Sequence, residues 1–310
     1  TSITIENGVK SIGEEAFEKP TRFNEDVSKI ANVSIPPSMT KIGNRAFQRS
    51  RIASITISKG VESIGKEAFL GNQLKSVTIP EGVVEIQDKA FDENFIESVS
   101  LPDSLTIIGE RAFEGGKTSN KLTVLKLPPQ LEKLYSGAFR GNKLTEIIIP
   151  AGVKTIGEGA FEKNELVSVT IPEGVTAIEA KAFAGNKLTL VSIPASVKTI
   201  GDEAFMSNKL SGNITIPEAV KEIGIAAFRD NQLTGVEIMG KTTIGEDAFW
   251  TNQIGKLIIG SNVVKIDSNA FGGNKPLVSV TIPESVKVFK FDSKTGRLGA
   301  FPDQVNVVRG

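Results

Sequence analysis

The dipeptide Ala-Phe occurs thirteen times in this chain, and most copies stand 22 residues apart. The pairs end at Phe17, Phe47, Phe69, Phe91, Phe113, Phe139, Phe161, Phe183, Phe205, Phe228, Phe249, Phe271 and Phe301. A fixed period of this length means one structural unit stacked on itself, each unit touching only its neighbours. Most residues therefore answer to the repeat. Function has to be sought where a column of the repeat breaks.

Residues 144 to 165, LTEIIIPAGVKTIGEGAFEKNE, show the unit clearly. Ile147, Ile148 and Ile149 alternate in, out, in, which is a strand with one buried face. Pro150 has no amide donor and ends ladder pairing. Val153 and Ile156 point inward, three apart. Gly157 breaks the path, and Gly159-Ala160-Phe161 returns the chain in a tight segment of 3₁₀ or one-turn helical type. Asn164 closes the loop and Leu166 opens the next strand. Stacked units place equivalent strands side by side in parallel, about 4.8 Å apart.

The pattern LxxIxIPxxVxxIGxxAFxxN resembles the Treponema-type, or BspA-like, leucine-rich repeats. The clearest stretches are Leu74 to Asn94, Leu144 to Asn164, Leu166 to Asn186 and Leu188 to Asn208. Many relatives carry Cys three residues after the Phe, whereas this chain carries Asn72, Asn94, Asn142, Asn164, Asn186, Asn208, Asn231, Asn252 and Asn274 there. The resemblance implies an α/β solenoid, a right-handed arc of about 13 repeats with a parallel β-sheet on its concave face. It also implies a bacterial protein displayed outside the cell, used in adhesion or protein binding, with host extracellular-matrix or surface proteins as the partner class. An extracellular, cell-surface or periplasmic setting follows from the same resemblance.

Composition closes off several chemistries. The chain has no Cys and no His, so disulfides, thiolate nucleophiles, Cys/His zinc sites and imidazole catalysis are excluded. Charge balances, with 36 basic and 36 acidic residues, and no basic stripe for nucleic acid is evident. Apolar runs are too short to span a bilayer. No catalytic residue, cofactor or metal site is assigned. The chain opens on Thr1-Ser2-Ile3-Thr4-Ile5, already strand-like, which suggests a trimmed chain from which a targeting segment was lost.

The Asn column reads as a turn fastener, since buried turns need their backbone groups satisfied. The outward strand columns are mostly Ser and Thr, which favour strands and can pair across them. Val124, Lys126, Glu146, Ile148 and Leu190 break that pattern in neighbouring repeats. An apolar group rimmed by charge is what a protein contact site looks like. Drift on a surface that only has to stay soluble gives the same pattern. Trp250 replaces polar residues of its column, and Tyr135 replaces the Gly of the Ile-Gly step; each is a partner anchor or a packing residue. Asn32-Val33-Ser34 and Asn213-Ile214-Thr215 are glycosylation sequons in form, placed on strands.

Insertions interrupt the period near 18–29, 115–119 and 289–297, where FKFDSKTGR reads as a hairpin with Phe289 and Phe291 on one face. Insertions decorate binding faces, and a terminal one also serves as a cap, here near 286–310. The sequence thus points to a single solenoid over 1–310, non-enzymatic, that binds protein through the strand face. The alternative is a spacer that lifts another segment from the cell surface.

Overall fold

The computed structural model describes residues 2–17, 30–116, 119–288 and 299–310. They form parallel β-coils in two compact units, Thr1–Gly152 and Val153–Gly310. No helix occurs among the described residues. The expected hairpin at 289–298 and the insertion at 18–29 lie outside them, as do residues 117 and 118 of the middle insertion.

Each coil contributes to three ladders. The first is the strand face, built from rungs such as Ser2–Thr4, Asn32–Ser34 and Ser54–Thr56, paired in parallel with no slip. Their outer residues are exposed and the central one points inward, as the two-residue period requires. The second is a ladder of two-residue strands. In the first unit it runs Ser11–Ile12, Lys41–Ile42, Ser63–Ile64, Glu85–Ile86, Ile107–Ile108. In the second it runs from Thr155–Ile156 to Lys287–Val288. One Ile or Val of each coil points inward here and is buried at nearly every step.

The third ladder is the return segment, and here the sequence reading needs correcting. The segment is neither 3₁₀ nor helical, and the α/β assignment fails with it. The residue two before each Phe has a left-handed backbone, with φ of 53° at Arg45, 56° at Glu67, 54° at Lys89 and 57° at Gly159. A second left-handed residue follows two after the Phe, as at Arg49 and Lys163. A right-handed helix cannot continue through such residues. The chain instead closes overlapping tight turns, Ala46 N–H to Gly43 O, Gln48 N–H to Arg45 O and Ser50 N–H to Phe47 O. The intervening amides point along the stack. Arg45, Phe47 and Arg49 donate to Lys66, Ala68 and Leu70 of the next coil at 2.8 Å each. The Gly of the Ile-Gly step is required by close approach: a Cβ on Gly201 would lie 2.5 Å from the Ala180 backbone nitrogen.

The described residues build about 12 turns, fewer than the 13 repeats expected. The expectation counted every Ala-Phe pair, including those at Phe17 and Phe301, each set off by a 30-residue spacing whose inserted part lies outside the described residues.

The Phe columns are buried stacks within each unit. In the first, Phe17, Phe47, Phe69, Phe91, Phe113 and Phe139 stack at centroid separations of 5.1 to 5.8 Å. In the second, the stack runs from Phe161 to Phe301. The eleven rings from Phe47 to Phe271 are fully buried, while Phe17 and Phe301 at the ends are half-buried.

Beside the rings runs the Asn column, which is structural. Asn208 Nδ2 donates to the Phe183 carbonyl at 2.9 Å and the Phe205 carbonyl at 3.1 Å, while its Oδ1 accepts from Leu188 N–H at 3.0 Å. One side chain thus serves two coils. The same set recurs at Asn72 and Asn274.

Two stability predictions follow from this packing. Phe183→Ala, with stacked rings on both sides, should cost about 3–5 kcal/mol through cavity formation, and Phe17→Ala at a half-buried end should cost clearly less. Asn208→Ala should cost about 1–3 kcal/mol, because buried carbonyls and an amide lose their partner. Urea denaturation of the variants measures each; a neutral Asn208→Ala would mean the amide fastens nothing.

Candidate functional site: a break in the strand face

The rung at Val124–Lys126 departs from its neighbours. The Ser98–Ser100 rung pairs with Ser76–Thr78 on one side. On the other side, among the described residues, no backbone hydrogen bond joins it to residues 123–127. None joins 123–127 to Glu146–Ile148 either. The last tie is at Leu122, whose carbonyl accepts from Lys143 N–H at 2.9 Å. The spacing from Phe113 to Phe139 is 26 residues instead of 22. The rings of that step still stack, at 5.8 Å against 5.1 to 5.4 Å for the other steps of the unit. The coils therefore hold together at the spine and part at the strand face.

The parting opens a cavity of about 480 Å³. Its floor includes Leu125, Leu127 and Ile147, and its walls include Ile148, Pro129 and Pro150. Lys126 and Glu146 stand at its rim. Val124 is 75% exposed and Ile148 73%, the two most exposed large hydrophobics of the described surface. Lys126 faces Asp103 at 3.9 Å with both side chains largely in water, so the pair is weak.

Three of the six residues singled out from sequence line the cavity, Lys126, Glu146 and Ile148, and Val124 stands exposed on the same rung as Lys126. Leu190 belongs to the second unit. It is 68% exposed, and its rung likewise shows no backbone pairing to Ser168–Thr170 or Asn213–Thr215 among the described residues. Trp250 is not on the strand face at all. It sits half-buried on a return segment, its ring 4.2 Å from the Arg229 guanidinium carbon and against Gly272. Tyr135 is half-buried under Lys133, whose Nζ is 4.7 Å from the ring centre. Both sequon asparagines, Asn32 and Asn213, are exposed on strands. Sequence reasoning missed the lining residues Leu125, Leu127, Pro129 and Pro150, which belong to ordinary core and turn columns. The signal that could have found them is the longer spacing just before them.

A family model for the BspA-type leucine-rich-repeat region matches residues 1–120, 84–211 and 198–293. The chain belongs to the BspA-type leucine-rich-repeat family. This BspA-type chain is similar in fold to a leucine-rich repeat protein from Bacteroides ovatus at a TM-score of 0.64, with 21% identity over 100% of this chain and 92% of that one. It is also similar to the pneumococcal vaccine antigen PcpA, with a TM-score of 0.54 and 22% identity over 92% of this chain and 67% of that one. YopM from Yersinia enterocolitica gives a TM-score of 0.54 and 16% identity over 91% of this chain and 62% of that one. No curated protein matches the sequence. At these identities the likeness is one of fold.

Among the described residues, no group of three or more acidic side chains could hold a metal ion, and no helix is long and apolar enough to cross a membrane. One carboxylate of the BspA-type unit is perturbed. Burial raises Asp92 from 3.8 to about 6, with Glu114 and Glu93 adding to the rise, against a hydrogen bond from Glu93 N–H. The folded state then holds this proton more tightly than the unfolded chain, so stability falls as pH rises from about 4 to about 6. Asp92→Asn should raise the melting temperature at pH 7, by a gain of about 1 kcal/mol after solvent screening, and should do little at pH 3.5. Equal melting shifts at the two pH values would refute the assignment.

Proposed function

We infer that this chain is a non-enzymatic protein-binding module whose contact site is the break in the strand face, centred on Val124, Lys126, Glu146 and Ile148. The observation that carries the reading is the coincidence of three features: an opened cavity, the two most exposed aliphatic side chains, and opposite charges at the rim. Elsewhere in the first unit the same face offers Ser, Thr and Asn. A buried apolar centre with a polar rim is the anatomy of a protein interface, and few residues carry most of its energy. Leu190, on its own unpaired rung, is a second contact point on the second unit. In the arc implied by the family resemblance this face is the concave one.

The family and the likeness to a pneumococcal vaccine antigen support display at the bacterial surface, with a host extracellular-matrix or surface protein as the partner and adhesion as the role. A panel of purified matrix and serum proteins, immobilised and probed with the folded chain, tests this. Val124→Ser with Ile148→Ser restores the bland identity of the column. It should leave the melting curve nearly unchanged and weaken binding at least about tenfold. Binding that survives the double change would refute the site, and binding to no member of the panel would favour the spacer reading.

A further inference from the structure

The break in the strand face leaves more than apolar side chains uncovered. In a solenoid the backbone groups of each rung are satisfied by the rungs on either side. The rung at 123–127 has neither partner. Leu125, Lys126 and Leu127 of this rung line the cavity together with Ile147 and Ile148. Open strand edges are templates for another strand, and peptide recognition by strand addition draws its affinity from such main-chain bonds. The pocket volume, about 480 Å³, suits a few extended residues rather than a folded loop.

We propose that the cavity accepts a short extended segment of a partner protein as an added strand, its backbone pairing with Val124–Leu127. This rests on the protein-binding reading above and names the form of the ligand. The segment is β-branched and apolar where it meets Leu125, Ile147 and Ile148. It carries an acidic residue toward Lys126 and a basic one toward Glu146. Lys126 is free to exchange partners, since its pair with Asp103 is long and solvated. Among the described residues Glu146 makes no ion pair. Opposite charges at two alternate positions fix the register, and the backbone supplies the binding.

The probe is the capped peptide acetyl-Thr-Val-Lys-Val-Glu-Val-Thr-amide, its two charges on alternate positions as Glu146 and Lys126 are, with two analogues N-methylated on alternate amides. Alternate amides of a strand point to opposite edges, so at least one analogue should bind the full chain tenfold or more weakly than the parent peptide. Hydrogen exchange read by mass spectrometry should show added protection at 123–127 with the parent peptide. Reversing the two charged residues should also weaken binding. Binding of both analogues as tight as that of the parent peptide, or no new protection at 123–127, overturns strand addition. So does a failure of the parent peptide to bind at millimolar concentration. If matrix-protein binding is still lost in the Val124→Ser, Ile148→Ser variant in that case, the contact surface stands and only the strand form of the ligand falls.

Discussion

Everything in this fold depends on one amide side chain placed once per turn. Each coil brings carbonyls into the core, and a buried carbonyl without a partner is costly. The asparagine amide has two donors and an acceptor, which is what the place demands. Asn72 bonds the Phe47 carbonyl of the preceding coil, the Phe69 carbonyl of its own, and the Ile52 amide where the strand begins. The residue that stacks its ring along the core is thus the residue whose carbonyl is clamped. Ring column and amide column fix each other's spacing, and the strand face inherits that spacing.

The inward columns, the outward hydroxylic face and the Asn fastener could be read from the sequence because each is a matter of period and residue chemistry. The absence of helix could not. Left-handed backbone at Arg45, Glu67 and Lys89 is carried by residues with no preference for it; Gly137, Gly159 and Asn269 in the same column hint at the need. The inter-coil hydrogen bonds impose that conformation, and they appear only once the coils are stacked. The site was half legible. Alternation placed Val124 and Ile148 outward, but the loss of pairing at 123–127 leaves no mark in any single residue type. Trp250 looked like an anchor by residue type alone, and its neighbours Arg229 and Gly272 show a packing role.

The proposed site lies where the regularity of the solenoid lapses. The strand-face pairing also lapses between Ser54–Thr56 and Ser76–Thr78, at the ordinary 22-residue spacing. At the longer spacing before 123–127 the rings still stack, so the core is kept where the cavity opens. On the proposed reading, binding there needs no specialised loop, only a lapse of pairing with suitable side chains beside it.

The return ladder, with every other amide pointing along the stack, has a mechanical meaning. Within either unit a coil is bound to its neighbours and to nothing further away. Tension applied through the chain is then met by one coil at a time. A freed coil of 22 residues lengthens the tether by roughly 70 Å, while the coils behind it keep their rings and amides in place. Whatever holds the two ends is then given slack in instalments, without a single jolt.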